Sequence, residues 1–381
     1  MTNKTASLLA GISSALLGMM IWCFALSTPS LAMASGVDPV DSPVLEKPVK
    51  EQQRWAAMPV IASSPETGLI LGGMLFHFFP VTDPEKQAST IDLMAYGTTQ
   101  GQYAMTLSPN LFSEDGRYRF NANFYGELWE ANYYHLGNDS PDISEKYTAT
   151  NLGGSLTVER RLPWGLVIDL VGLYEKTGME VIGGGLLETD SPPGIIDATY
   201  VGLGFEGGYD TRDNTNAPAR GIVGRYRYVA YDKEFGSDLD FTIQTFGLGA
   251  YHRLAMIKDS VLAFAATLRK ATGSIPFRYL SSPDGSLVLR GIENGRYRDN
   301  ALVAFQSELR FPVYRRFSGT VFAEVAQVAP SYRDFETANF KTSLGGGLRY
   351  ALNPTQRFNI RGDVAWVDGG IGVVINVREA F

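Results

Sequence analysis

Leu289-Arg290-Gly291-Ile292 sits inside a long polar interval that runs from Ala271 to Asn300. An arginine followed by glycine suits one kind of chemistry: a planar cation that grips carboxylates two atoms at a time, on a backbone free to turn where a side chain would be strained. Acceptors are close in the chain. Glu308, Glu324 and Asp363 each fall on the polar parity of a segment whose other parity is apolar, so each is a candidate wall carboxylate for a loop cation. An arginine merely solvated in an exposed loop is the competing description.

Other chemistry is poorly supplied. The three histidines, His77, His135 and His252, are far apart, and no nucleophile or second carboxylate accompanies any of them, so the chain is not expected to be an enzyme. Gly202-Leu203-Gly204-Phe205-Glu206-Gly207 has dinucleotide-loop spacing, yet it continues toward Tyr209 as a strand with no helix after it. The acidic run Asp210 to Asn216 lacks the ordered ligands and late glutamate of a calcium loop, and suits a turn held by Asp and Asn side chains. No metal and no cofactor is expected. The formal charge of −7 argues against nucleic acid as a partner.

The elements that must position these residues follow from period-2 alternation. Val303, Phe305, Leu309 and Phe311 oppose Gln306, Glu308 and Arg310; Phe358, Ile360, Val364 and Trp366 oppose Arg357, Asn359, Arg361 and Asp363; Ile371, Val373, Ile375 and Val377 oppose Asn376 and Arg378. A soluble sandwich alternates too. Segments of about ten residues, with full charges on one face and aromatic-ended apolar residues on the other, fit tilted strands that cross a bilayer. The spacing predicts strands near 55–63, 68–79, 88–98, 101–111, 117–128, 149–160, 165–175, 198–209, 219–231, 239–252, 260–271, 300–312, 317–328, 340–351, 356–366 and 372–381. That is an all-β transmembrane antiparallel barrel of about 16 strands. Short turns then alternate with longer loops at 129–148, 176–197 and 272–299, which puts both termini at the short-turn, periplasmic end and makes the last loop the sixth.

Ahead of the strands, residues 1–34 carry Lys4, an apolar run from Ala6 to Leu26 and Ala32-Met33-Ala34, the pattern of a cleaved signal peptide. The single cysteine, Cys23, lies in that run, so a disulfide scaffold and a thiolate metal site are excluded. Residues 35–54, rich in Pro, Glu and Lys, read as a short disordered periplasmic lead, and 55–381 as the barrel.

These motifs resemble a known group. Gly208-Tyr209-Asp210-Thr211-Arg212-Asp213-Asn214, continuing to Pro218-Ala219-Arg220-Gly221, is similar to the periplasmic-turn signature of the BamA/TamA superfamily of outer-membrane barrels, also called bacterial surface antigens. Val288-Leu289-Arg290-Gly291-Ile292, Pro65-Glu66-Thr67-Gly68-Leu69 and the ending Gly372 to Phe381 fit the same group. The resemblance implies a sixteen-stranded barrel of the bacterial outer membrane, closed by pairing of its first and last strands, with that seam able to open toward lipid. It implies a sixth loop folded into the lumen and locked by Arg290 and Gly291 onto Glu308, Glu324 and Asp363, with Glu324 or Glu308 the foremost partner. It also makes Asp210, Arg212, Asp213, Asn214 and Gly221 the periplasmic-turn motif, and Val373, Ile375, Val377 and Phe381 a C-terminal strand signal read by the barrel assembly machinery. The pattern departs from the family in one respect: client-binding periplasmic repeats ahead of the barrel are not seen. The expected function is a role in outer-membrane biogenesis, inserting or translocating protein or lipid through the seam; the alternative is a passive channel or structural barrel without clients. Outer-membrane lipids, an accessory periplasmic protein and a second copy of the chain are the expected partners.

Overall fold

A computed structural model describes residues 54–64, 68–81, 87–181, 183–255, 257 and 259–381. The leader, nearly all of the 35–54 lead, and Pro65-Glu66-Thr67 lie outside the described residues.

Sixteen antiparallel strands form one sheet in sequence order. They are β1 (Trp55–Ser64), β2 (Gly68–Phe78), β3 (Thr90–Thr98), β4 (Tyr103–Phe112), β5 (Tyr118–Tyr134), β6 (Ser144–Arg161), β7 (Leu166–Glu180) and β8 (Ala198–Asp210), then β9 (Gly221–Tyr231), β10 (Phe241–Arg253), β11 (Val261–Gly273), β12 (Ala301–Tyr314), β13 (Phe317–Ala329), β14 (Lys341–Asn353), β15 (Phe358–Val367) and β16 (Gly370–Val377). Every connection is a hairpin, so each strand pairs only with its neighbours in sequence.

The faces are inverted relative to a water-soluble sheet. On β12, Phe305 is exposed while Gln306 and Glu308 are buried; on β13, Val321 is exposed and Glu324 buried; on β15, Val364 and Trp366 are exposed and Arg361 and Asp363 buried. Apolar residues outside and charges inside are what a lipid-facing barrel requires.

Several boundaries differ from the alternation, β7 among them, which runs to Glu180 into the expected 176–197 loop; three departures matter most. The β5–β6 hairpin continues to Tyr134 and restarts at Ser144, shrinking the expected 129–148 loop, because Tyr133 and Tyr147 have an apolar partner beyond the barrel wall. They pack with Leu187 of the short helix α1 (Leu186–Asp190), Tyr200, Phe241 and Phe277 into a cluster over the long-loop end. The second difference is at Phe358, whose parity with Val364 and Trp366 implied the outer face. A register shift in the β14–β15 ladder between Ala351 and Asn353, with Arg357 at φ +49°, brings the ring against Phe76 and Phe78 instead.

The third concerns the chain end. The last strand stops at Val377 rather than running to Phe381, because Arg378 takes φ +63° and turns the tail away from the ladder. Phe381 then packs against Ala219, Tyr251, Val261 and Ala263. Val373 and Ile375 keep the exposed apolar face, Val377 joins the cluster of Phe76 and Phe358, and Phe381 is not part of the strand.

The expected closure by pairing of the first and last strands is not formed: among the described residues no ladder joins β1 to β16. The two ends of the sheet meet instead through side chains. Phe358 on β15 packs edge-on against Phe76 and Phe78 on β2, at 5.1 and 5.8 Å between ring centroids, and Arg378 reaches Asp92 on β3 at 3.1 Å.

Candidate functional site: an arginine held by three strands

Residues 274–300, between β11 and β12, form the sixth loop at the long-loop end. Asp284 starts its inner turn: its carboxylate accepts from the amides of Ser286 and Leu287, and its carbonyl from those of Val288 and Leu289. That turn presents Leu289 and Ile292 to Leu302, Ala304, Ala326 and Val328, an apolar patch on β12 and β13. Arg290 is left facing the polar wall.

Its side chain is wholly buried, as are those of the three carboxylates around it. Nε donates to Glu324 Oε1 at 2.7 Å, and the backbone amide donates to Glu324 Oε2 at 2.6 Å. Nη1 lies 2.7 Å from Glu308 Oε2 and donates to Asp363 Oδ2 at 3.1 Å. The guanidinium carbon also lies over Phe322, 3.4 Å from the ring centroid. The Arg290 carbonyl accepts from Ser343 on β14 at 2.7 Å. Burial by itself would depress the guanidinium, but Glu308, Glu324 and Asp363 outweigh it and hold Arg290 above its ordinary pKa.

The surrounding wall keeps the cluster neutral. Arg310 donates to Glu308 at 2.6 Å, Arg349 bonds Asp363 and donates to Glu379 at 3.0 Å, and Arg361 donates to Asp363 at 2.6 Å. Arg290, Arg310, Arg349 and Arg361 thus face Glu308, Glu324, Asp363 and Glu379. Buried charge is tolerable only when matched in this way.

Gly291 has two duties. Its φ of +89° belongs to the left-handed region. It also lies against Gly372 of β16, where an added Cβ would come within 2.3 Å of the Gly291 Cα. The loop tip therefore rests directly on the last strand.

The 211–220 turn sits at the opposite end. Arg212 grips Asp210 with Nε and Nη2 at 3.0 and 2.8 Å. Asp213 accepts from the amides of Ala219 and Arg220, and Asn214 from those of Asn216 and Ala217. Gly221, at φ +105°, brings the chain so close to Thr211 that a Cβ would lie 2.3 Å from its carbonyl oxygen. The turn reaches beyond its own hairpin. Asp213 meets Arg357 at 2.7 Å, Thr215 donates to Gln87 at 2.7 Å, Asn216 donates to the Gln356 carbonyl at 2.9 Å, and the Glu379 amide donates to the Asn216 carbonyl at 3.1 Å. It is thereby tied to the turns before β3 and before β15 and to the C-terminal tail, all beside the seam.

The loop has a second anchor that sequence reasoning missed. Arg278 donates to Asn151 at 2.7 Å and to Thr177 at 3.0 Å, and lies 3.4 Å from Glu175, on β6 and β7. The signal was present, since Arg278 occupies the same polar interval and Glu175 and Thr177 share one parity. A third cluster joins Arg225 to Glu159, Asp169 and Glu206 at 2.9 to 3.0 Å.

A family model described as the Omp85 superfamily domain matches residues 91–369. Among solved structures, BamA from Haemophilus ducreyi lacking POTRA domains 1–3 is similar at a TM-score of 0.56 and 16% identity, over 85% of this chain and 69% of that one. CdiB from Acinetobacter baumannii aligns with a TM-score of 0.48 and 11% identity, over 83% of this chain and 56% of its own. At 16% identity the BamA likeness concerns the fold alone. The search of curated proteins returned no match.

Proposed function

The chain belongs to the Omp85 superfamily, and from that premise we propose a barrel that assists insertion or translocation of protein or lipid through the seam between β1 and β16. The membership itself carries the coarser statement: an outer-membrane β-barrel in a family concerned with outer-membrane protein biogenesis or translocation.

The observation behind the finer reading is the join between β1 and β16. A closed ladder of about ten residues would hold its ends with a row of backbone hydrogen bonds, each contributing about 1 kcal/mol net. Here the ends are held by an apolar cluster around three phenylalanines, with Ala56 and Val377, and by one half-buried ion pair. Separating them leaves strand edges whose free N–H and C=O groups template pairing with an incoming strand.

Arg290 and Gly291 are the lock in this reading. The guanidinium fastens the loop to β12, β13 and β15, and Gly291 on Gly372 extends the hold to β16. The lock sets where the last strand rests while the seam works. Phe358→Ala tests the reading, because it removes the aromatic contact across the seam and leaves the Arg290 cluster in place. Membrane photolabelling of β1 and β16 should increase in that variant; unchanged labelling would argue that the rings do not hold the seam.

One observation favours a channel instead. A cavity of about 360 Å³ lies on the inner side, lined in part by Tyr125, Glu175, Arg269 and Arg278. Planar-bilayer recording separates the readings: steady conductance that Arg290→Ala enlarges would support the channel.

A further inference from the structure

Among the described residues, the exposed cations at the short-turn end are arginines, and several of them form no ion pair. Arg160 on β6 pairs in register with Tyr118 and Ile168, both exposed on the apolar outer face, and its guanidinium lies 5.7 Å from the Tyr118 ring centroid. Arg315, in the β12–β13 turn, lies 5.0 Å from the ring centroid of exposed Tyr314, with exposed Arg316 beside it. Arg220 is exposed two residues before the outward Ile222. Among the described residues, no carboxylate forms an ion pair with Arg160, Arg220, Arg315 or Arg316. Exposed Trp164 and Tyr209 occupy the same end.

The other end has the opposite character. Asp139, Asp142, Glu188, Asp238, Asp334 and Glu336 are exposed there. The rim arginines on the β14–β16 side also differ, for Arg357 is matched by Asp213 and Arg378 by Asp92.

We propose that Arg160, Arg220, Arg315 and Arg316 form a phosphate-binding belt for anionic phospholipid headgroups of the inner leaflet of the outer membrane. Aromatic residues at the edge of a barrel's apolar band mark the headgroup level, and an arginine stacked on such a ring holds its planar fork where lipid phosphate lies. Guanidinium matches phosphate bidentately, which suits arginine better than lysine here. The belt rests on the assignment of the short turns to the periplasmic side.

Native mass spectrometry of the purified barrel in nonionic micelles tests this, with phosphatidylglycerol and phosphatidylcholine titrated separately. Phosphatidylglycerol should be retained at concentrations where phosphatidylcholine is lost. The combined variant Arg160→Gln, Arg220→Gln, Arg315→Gln, Arg316→Gln should bring the two lipids level while keeping the heat-dependent gel shift of a folded barrel. Should that variant not fold, Arg160→Gln and Arg315→Gln alone should each weaken retention about fivefold, the share of one surface cation. Equal retention of both lipids by the unaltered protein, or full phosphatidylglycerol retention by the variants, would overturn the belt.

Discussion

Arg290 gathers carboxylates from three different strands, and its removal leaves the buried cluster one positive charge short: Glu324 loses its cation, while Glu308 keeps Arg310 and Asp363 keeps Arg349 and Arg361. Arg290→Ala should therefore cost about 3–5 kcal/mol, the range for breaking a buried pair from one side. Adding Glu324→Gln should recover part of that loss, with a coupling of about 1 kcal/mol or more; strictly additive losses in the folded-band melting temperature would refute the shared network. Gly372→Ala offers a finer probe, since its new methyl would meet the Gly291 backbone, whereas at Gly370 nothing lies closer than 3.8 Å. Gly372→Ala should destabilise the barrel clearly and Gly370→Ala hardly at all, and equal effects would remove the loop-to-strand contact from the account. At this scale the sequence is informative wherever alternation holds: parity alone places Glu308, Glu324 and Asp363 on one face. Parity does not order three acceptors around one cation, because that depends on how far each neighbouring strand is staggered.

Among the elements, the 211–220 turn has more reach than its motif suggests. Its Asp and Asn side chains build a local turn, as their types imply, but Asp213 also leaves that hairpin to meet Arg357. Burial would raise the Asp213 carboxyl; the hydrogen bond from Arg357 and the amides of Ala219 and Arg220 outweigh it and hold its pKa below the ordinary value. A depressed folded pKa means stabilisation that is complete above the unfolded value of about 3.9 and lost as pH falls through the folded one. The stability gap between the native chain and Asp213→Asn, read by tryptophan fluorescence in denaturant, should thus be open at neutral pH and narrow as pH falls below the ordinary carboxylate range. A gap that persists in acid would mean that the contact works by shape rather than charge. Strand existence was readable from the 2.0-residue period, but several strand ends were not. The register shift beside Phe358 and the left-handed Arg378 are backbone events that polarity does not encode, and they redirect Phe358 and Phe381 away from the expected faces.

Over the whole molecule, the wall has one place where neighbours do not share a ladder among the described residues, and several separate devices converge on it. The loop tip rests on β16 through Gly372, the 211–220 turn is tied to the turns before β3 and β15, and the tail places Glu379 between Arg349 and Asn359. This convergence could not be read from the chain, since it joins residues that are not neighbours in any strand ladder, some of them more than a hundred positions apart, whereas the count of strands and the inversion of their faces could. It makes movement of β16 against β1 the step on which the proposed function depends. The most direct measurement places one cysteine in β1 and one in β16, joins them with a short crosslinker in cells, and follows the outer-membrane protein and lipid profile that the uncrosslinked barrel restores after depletion. The expected result is that joining the strands abolishes restoration and that cleaving the linker returns it; full restoration by the joined barrel would contradict a working seam.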